Sequence, residues 1–261
     1  MKFTLIKGHF KPKTGHPDGD SVRFQADDPT LWNRIPGHPN SIGSSVQLRL
    51  EGIDSIEKGA TKPLSTLAKE SMLNLIGFHE TDRSTPPGYI LTNGFTGDRP
   101  VCFVFAGENR RMDGSQVSLD AAMLRDSVNY RQVQTGYAYP LFYNTLDVQT
   151  RKTLAQIIDI VAQRPLGNWP TDATQTGVTV RTRADLATIP PIWPKLWRRL
   201  ETFLKKNQPL AEFVPFLASK NERMRIASSG KERGFAEMVA VEGDQVRMTE
   251  SPSELIVISS G

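Results

Sequence analysis

The architecture of this protein can be worked out from one segment, which reads Leu48-Arg49-Leu50-Glu51-Gly52-Ile53-Asp54-Ser55-Ile56-Glu57. Apolar and polar residues alternate through residues 46–53, the period of a β-strand that buries one face. The strand then enters a turn, and this brings the Arg49 guanidinium and the Asp54 and Glu57 carboxylates to one strand end. Charges of both signs crowded in this way suit a site for a divalent metal ion and a phosphate better than they suit a core.

Two other strand ends carry side chains of the same kinds. Gly19-Asp20 opens the strand-like residues 21–24, so Asp20 would add a carboxylate, a hard oxygen ligand that suits Ca²⁺. Arg99 precedes the strand-like residues 101–105 and would add a second guanidinium, whose planar fork matches phosphate oxygens. Each of these residues alone is more often a turn former or a surface ion-pair partner. The metal–phosphate hypothesis therefore depends on their joint order.

That order resembles the staphylococcal nuclease (thermonuclease-like) family. The matching motifs are Asp18-Gly19-Asp20-Ser21-Val22, Arg49-x4-Asp54-x2-Glu57, Arg99 before an aliphatic strand, Ser127-Val128-Asn129-Tyr130, Gln134-Thr135-Gly136-Tyr137-Ala138 and Pro165-Leu166-Gly167-Asn168-Trp169. The resemblance covers residues 1–170 and implies an α+β fold, an OB-type five-stranded β-barrel with packed helices. Periodicity predicts strands at 3–10, 21–25, 46–53, 88–92 and 101–105, and helices at 63–77, 119–134 and 149–163.

The resemblance also implies a metal-dependent nuclease that hydrolyses phosphodiester bonds of DNA, with RNA as a further substrate and low base specificity. The residues it assigns are Asp20, Asp54 and the Ser55 carbonyl as metal ligands, and Arg49, Glu57 and Arg99 as catalytic groups. The expected cofactor is Ca²⁺, with Mg²⁺ or another divalent cation as alternatives. The rival hypothesis is a non-catalytic scaffold of the same fold that binds nucleic acid or protein. The presence of all these acidic and basic residues favours catalysis.

Aromatic residues beyond these motifs are candidates for stacking on a nucleotide base, which is a sequence-tolerant contact. They are Tyr137, Tyr139, Phe142 and Tyr143.

The composition changes after Trp169. We predict a nuclease-like domain at 1–172 with an insertion at 26–45, a linker at 173–188, and a small α+β module at 189–261. The basic residues Arg198, Arg199, Lys205 and Lys206 lie opposite an apolar helical stripe in this module. They are candidates to follow a phosphate backbone, although a solvated helix face gives the same pattern. A protein partner is the alternative role of the module.

Bulk properties set wider limits. The formal net charge of +4 permits a polyanionic partner without requiring one. A single cysteine, Cys102, excludes an internal disulfide and lies among apolar residues, so we expect a buried thiol. No apolar run approaches the ~20 residues that span a bilayer. The first residues lack the long apolar core of a signal peptide, and we therefore expect cytoplasmic residence.

Overall fold

The computed structural model describes residues 1–40, 42–79, 81 and 85–259. The strands up to residue 143 are β1 (Lys2–Phe10), β2 (Arg23–Ala26), β3 (Ser45–Gln47), β4 (Arg49–Leu50), β5 (Ile53–Ser55), β6 (Pro87–Thr96), β7 (Arg99–Ala106), β8 (Gln116–Ser118), β9 (Ala138–Pro140) and β10 (Phe142–Tyr143). The α-helices up to residue 162 are α1 (Leu64–Leu75), α2 (Ala121–Asp126), α3 (Val128–Gln134) and α4 (Val148–Ala162).

The later part of the chain is also mixed. Its strands are β11 (Val178–Thr179), β12 (Arg223–Ile226), β13 (Glu232–Gly234), β14 (Val239–Glu242), β15 (Gln245–Met248) and β16 (Leu255–Ile258), and its α-helices are α5 (Pro194–Leu204) and α6 (Phe213–Ala218). Short 3-10 helices lie at Pro29–Arg34, Trp169–Thr171, Arg183–Ala187, Leu210–Glu212, Phe235–Met238 and Pro252–Glu254. The predicted α+β class is confirmed.

The largest sheet has the strand order β3-β2-β1-β6-β7-β4, with β8 added to β1. Strands β3 and β4 stand at opposite ends of this order, although only Leu48 separates them in the chain. Strand β3 pairs antiparallel with β2, whereas β4 pairs in parallel with β7. The single strand predicted at 46–53 therefore changes its pairing strand at Leu48. Its second part, β4, places Arg49 opposite Val101, near the start of β7.

One core packs the large sheet against the helices that follow it. Apolar side chains of β1, β2 and β7 meet those of α1, α3 and α4, among them the fully buried Phe10, Phe24 and Phe103. The helix predicted at 119–134 is two helices, because the backbone of Ser127 is extended (φ −66°, ψ 149°). The Ser127 hydroxyl accepts a hydrogen bond from the Tyr130 amide and caps the second helix.

A second core spans both halves of the chain. Ile56, Tyr139 and Leu141 from the first 172 residues pack with the apolar side chains of α5, α6 and β12. Strand β10 pairs in parallel with β16, which ties the two halves together through the backbone. The segment that carries Asp54 is thus held between two cores.

The predicted linker at 173–188 is a packed segment. Its strand β11 pairs with β15, and Val178, Val180 and Leu186 are buried in the second core. The threonine-rich composition concealed this, because few but well-spaced apolar residues are enough to anchor a short strand. Because these side chains are buried, this segment is part of the second core and does not act as a free linker.

The insertion at 26–45 packs onto the large sheet. Its 3-10 helix buries Leu31 and Trp32, and the Trp32 ring lies 6.2 Å from that of Phe95 between centroids. Within the described ranges, no helix combines the length and apolar character needed to cross a membrane.

Candidate active site

An open cavity of about 1070 Å³ lies where the strand ends of the large sheet meet α5. Asp20, Arg49, Ser55, Glu57 and Arg99 all line it, and these are five of the six residues assigned by the resemblance. The sixth, Asp54, lies just beneath the wall with 1% of its side chain exposed. The structure thus brings together residues that come from three separate stretches of the chain.

Asp20 reaches the cavity through a tight turn. The Asp18 carboxylate accepts a hydrogen bond from the Asp20 amide (3.1 Å), and the Asp18 amide donates to the Ser21 carbonyl (3.1 Å). A side chain at Gly19 would stand 2.6 Å from the Cβ of Ser55, so only glycine lets the turn approach β5 this closely. Asp20 in turn accepts a hydrogen bond from the Ser55 hydroxyl at 3.3 Å.

The turn between β4 and β5 is fixed by a buried amide. Asn129 accepts a hydrogen bond from the Val104 amide (2.9 Å) and donates to the carbonyls of Glu51 (2.9 Å) and Cys102 (3.1 Å). Three bonds to backbone groups of two elements hold the end of β4 against β7. Asn129 is fully buried, so it positions the site without lining it.

Asp20 and Asp54 converge on one guanidinium. The two terminal nitrogens of Arg49 lie 2.5 Å from Asp20 Oδ2 and 3.0 Å from Asp54 Oδ1. Burial alone disfavours the charged guanidinium, but the two carboxylates outweigh burial and raise the Arg49 pKa above its ordinary value. Arg49 is therefore positively charged, and its guanidinium forms ion pairs with the Asp20 and Asp54 carboxylates.

A second guanidinium comes from α5. Arg198 donates to both Asp54 oxygens (3.0 and 2.7 Å) and to Glu57 Oε1 (2.6 Å). Burial would raise the Asp54 pKa, but Arg198 and Arg49 outweigh that effect and lower it. The Glu57 pKa is raised, mainly by burial, because the attraction of Arg198 offsets that burial only in part. Arg198 was predicted to follow a phosphate backbone on an open face, and the structure instead places it inside the site.

The position of α5 relative to Asp54 is set by Trp193 at its N-terminus. The Trp193 indole donates to the Pro140 carbonyl (2.7 Å), and its amide donates to the Thr174 hydroxyl (2.9 Å). Pro140 pairs with Ile53, and the next pair in that ladder joins Asp54 to Tyr139. The helix is therefore anchored to the strand pair that carries Asp54.

Two further acids lie in the cavity wall. Burial, and then the neighbouring Asp20 charge, raise the Asp18 pKa to about 9. Burial raises the Glu51 pKa to about 7 against the attraction of Arg49. Burial therefore favours the neutral form of both acids, which limits the negative charge that the wall presents.

Arg99 differs from the other arginines of the site. It lies at the start of β7 on the cavity wall, and its side chain forms no ion pair with any residue in the described part of the chain. The end of β6 and the turn after it, residues 93–97, also line the cavity. Arg99 is thus available to an anionic ligand, whereas Arg49 and Arg198 are held by carboxylates.

Of the aromatic candidates, Tyr143 alone lines the cavity wall among the described lining residues. Tyr139 and Phe142 are buried in the second and first cores, and the Tyr139 hydroxyl donates to Asp172 at 2.7 Å. The prediction that Tyr139 and Phe142 stack on a nucleotide base is therefore wrong, since neither ring reaches solvent. Tyr137 is half-buried and lies outside the cavity lining.

The other basic candidates, on α5 and directly after it, lie outside the cavity lining. Arg199 forms a two-pronged pair with Glu222, which also contacts the buried Lys195 at 3.3 Å. Lys205 pairs with Glu201 at 2.9 Å on the exposed side of the helix. Lys206 is exposed, 5.2 Å from the ring centroid of Phe216. The lysines remain candidates for a phosphate contact, whereas Arg199 belongs to an internal ion-pair network.

The donor set suits a divalent cation chemically. Within the described residues, no three His, Cys, Asp or Glu side chains converge as a group that would hold a metal ion. Asp20 and Asp54 nevertheless flank one cationic group, and two carboxylates beside Ser55 supply the hard oxygens that Ca²⁺ prefers. These oxygens suit such an ion by type, and in the structure they are paired with guanidinium nitrogens, Asp20 with Arg49 and Asp54 with both Arg49 and Arg198.

Sequence reasoning named Arg198 as a candidate phosphate contact without predicting its place in this wall, and it did not name Glu51 as a site residue. The signal for Glu51 was present in the sequence, since it lies between Arg49 and Asp54 and directly before Gly52. No signal near the motifs points to Arg198, which lies 144 residues from Asp54.

No family model matches this chain, and a search of curated proteins finds no significant match.

Proposed function

We propose that this protein is a divalent-cation-dependent nuclease that hydrolyses phosphodiester bonds in DNA, with RNA as a further substrate. The observation that carries the proposal is the single cavity in which Asp20, Glu57 and Arg99 meet above Asp54. Carboxylates for a cation, a carboxylate for water and a free guanidinium for phosphate are the groups that phosphodiester hydrolysis needs. Ca²⁺ is the proposed cation, with Mg²⁺ as the alternative.

Each residue has a separate role in this proposal. Arg99 would donate paired hydrogen bonds to the non-bridging phosphate oxygens, where charge develops in the transition state. Glu57, whose pKa is raised mainly by burial, would orient the attacking water and accept its proton. Asp20, Asp54 and the Ser55 carbonyl would hold the cation, which when bound neutralises phosphate charge and acidifies water.

We further infer that the large sheet is an OB-type five-stranded barrel of the thermonuclease-like family. The support is the strand order, in which the adjacent segments β3 and β4 stand at its two ends. If the short break at Leu48 is treated as internal to one strand, the order closes on itself with five strands. The parallel β4–β7 pair would be the closing contact.

One observation favours the rival function, a non-catalytic scaffold. Both Asp54 oxygens are bound by guanidinium groups, so the acidic cluster is already neutralised within the protein. A scaffold would keep this arrangement permanently and would bind nucleic acid or protein without cleaving it.

A cleavage assay separates the two functions. Purified protein is incubated with plasmid and single-stranded DNA in Ca²⁺, in Mg²⁺ or in chelator, and product formation is followed on gels. We expect metal-dependent degradation, and a loss of at least about 100-fold for Glu57→Gln, the usual size of a general-base contribution. Arg99→Ala is expected to lose rate by a similar factor, since it removes one transition-state donor.

Matched variants keep the result interpretable. Glu70→Gln on α1 and Arg110→Ala on the loop after β7 make the same chemical changes outside the cavity, so they should cleave at the wild-type rate. Binding of DNA without cleavage in every metal tested would reject the nuclease and favour the scaffold.

A further inference from the structure

Arg198 holds the two carboxylates on which the proposed chemistry depends. Its fork binds both oxygens of Asp54 and one oxygen of Glu57 at 2.6 to 3.0 Å. It is supplied by α5 and belongs to none of the motifs that suggested a nuclease. It also lines the cavity with 31% of its side chain exposed, so it stands between bulk solvent and the buried Asp54.

We propose that Arg198 is the internal cation of this site. It competes with a divalent metal ion for Asp54 and Glu57, and it transfers to the phosphodiester of a bound nucleic acid. This inference deepens the nuclease proposal and rests on it for the identity of the ligand. Arg198 would thereby be a specificity-determining residue, because it makes tight cation binding depend on a phosphate ligand.

The contacts of Asp54 make competition unavoidable. A cation on Asp54 needs at least one carboxylate oxygen, and both are engaged by Arg198, with Arg49 sharing Oδ1. Asp54 is 1% exposed, so the carboxylate cannot turn toward solvent to find the ion. The guanidinium, being the more exposed partner, is the group that has to move.

The helix stays while the side chain moves. Trp193 ties α5 to Pro140, and Leu196, Leu200 and Phe203 are buried in the second core. Rotation about the side-chain bonds of Arg198 would carry its guanidinium from Asp54 into the cavity without unpacking the helix. Phosphate oxygens accept the same two-pronged hydrogen bonds as a carboxylate, so a phosphodiester in the cavity offers Arg198 an equivalent partner.

Thermodynamic linkage follows from this exchange. If a nucleic-acid phosphate draws Arg198 from Asp54, it removes the competitor of the metal ion. The cation must then strengthen nucleic-acid binding by the same factor. In the free protein, by contrast, the cation has to displace three charge-assisted hydrogen bonds.

The test measures cation affinity directly. Calcium binding to the full chain is followed by titration calorimetry for the wild type, Arg198→Gln and Arg198→Lys, with and without a hydrolysis-resistant phosphorothioate oligothymidylate. Without oligonucleotide, we expect Arg198→Gln to bind Ca²⁺ at least about tenfold more tightly than the wild type, and Arg198→Lys to fall between them. The oligonucleotide should raise the wild-type affinity more than that of Arg198→Gln.

Arg199→Gln is the matched control, because it changes the adjacent arginine, which pairs with Glu222 outside the cavity. Thermal melts identify variants that do not fold, and Arg198→Lys, which keeps the positive charge beside Asp54, preserves the test if Arg198→Gln unfolds. An unchanged or weaker Ca²⁺ affinity in a folded Arg198 variant overturns the inference, as does the absence of Ca²⁺ binding in all variants. Wild-type cleavage decides the nuclease proposal separately, so the two failures are distinguishable.

Discussion

Asp54 is a buried charge held from two sides. It is nearly inaccessible to solvent, and its two oxygens receive hydrogen bonds from two guanidinium groups. A buried ion pair of this kind contributes little net stability, but removal of one partner leaves an uncompensated charge and costs about 3–5 kcal/mol. The same burial strengthens the interaction of Asp54 with whichever cation is present, which is why Arg198 and a metal ion compete there so directly.

The pH dependence of stability is expected to report on Glu51. Its ordinary pKa of 4.5 is raised to about 7 in the folded protein by burial, so the folded state retains a proton that the unfolded state releases. Between those two values the Glu51 contribution to stability falls as pH rises, and above pH 7 the penalty is constant. Glu51→Gln should therefore raise the free energy of unfolding at pH 8 by about 3 kcal/mol and change it little at pH 4.

Urea denaturation at both pH values checks this. The matched control is Glu70→Gln on α1, which should change stability by less than about 0.5 kcal/mol at either pH. An equal effect of Glu51→Gln at pH 4 and pH 8 would contradict the assigned protonation.

Residue types at short spacing made most of the site predictable. Arg49, Ser55 and Arg99 lie at strand ends, and Asp20 and Glu57 lie within three residues of one, so the cavity lining agrees with the prediction. Tyr139 and Phe142 were misassigned because an aromatic residue near a site looks the same whether its ring stacks on a base or fills a core. The position of Arg198 depends on how two cores meet, and short-range patterns carry no information on that.

At the scale of elements, the decisive feature is a strand that serves two partners. Alternation correctly predicted extended backbone at 46–50, but it missed the turn at residues 51–52, and period-two patterning is silent about which strand lies alongside. The change from β2 to β7 at Leu48 follows from sheet geometry, and it places Arg49 beside Asp20. The helix at 119–134 was likewise predicted without its break at Ser127, where a capping hydroxyl ends one helix and starts the next.

Asn129 is expected to be the residue on which this junction depends. Asn129→Ala removes three hydrogen bonds to the backbone of Glu51, Cys102 and Val104, although the Cys102 carbonyl keeps its bond from the Glu51 amide, so it should cost about 3 kcal/mol of folding free energy. Because it loosens the turn that carries Arg49, DNA cleavage should also fall at temperatures where the variant is still folded.

Equilibrium denaturation and a cleavage assay well below the melting temperature measure the two effects. Asn74→Ala, on the exposed side of α1, provides the control and should be nearly neutral. If Asn129→Ala leaves the free energy of unfolding unchanged, water replaces the Asn129 amide and other contacts hold the junction.

At the scale of the whole molecule, the two halves of the chain share a core. The division at residue 172 follows composition, yet Ile56, Tyr139 and Leu141 are buried by residues beyond it. Composition reveals where a sequence changes character, whereas cooperative units are defined by shared burial. The fragment 1–172 contains every residue assigned by the resemblance and still lacks Arg198 and the cover of the second core.

This fragment is expected to be much less stable than the full chain. Ile56, Tyr139 and Leu141 would be exposed, and at about 1.5–3 kcal/mol for each large apolar side chain the loss is at least about 4 kcal/mol. That is a large part of the ~5–15 kcal/mol that stabilises a typical domain. Circular dichroism melts should show a lower and broader transition, and a dye that binds exposed apolar surface should fluoresce with the fragment. Addition of a separate 173–261 chain should reverse both changes if the loss reflects the missing cover, whereas a fragment as stable as the full chain would show that the first core folds independently.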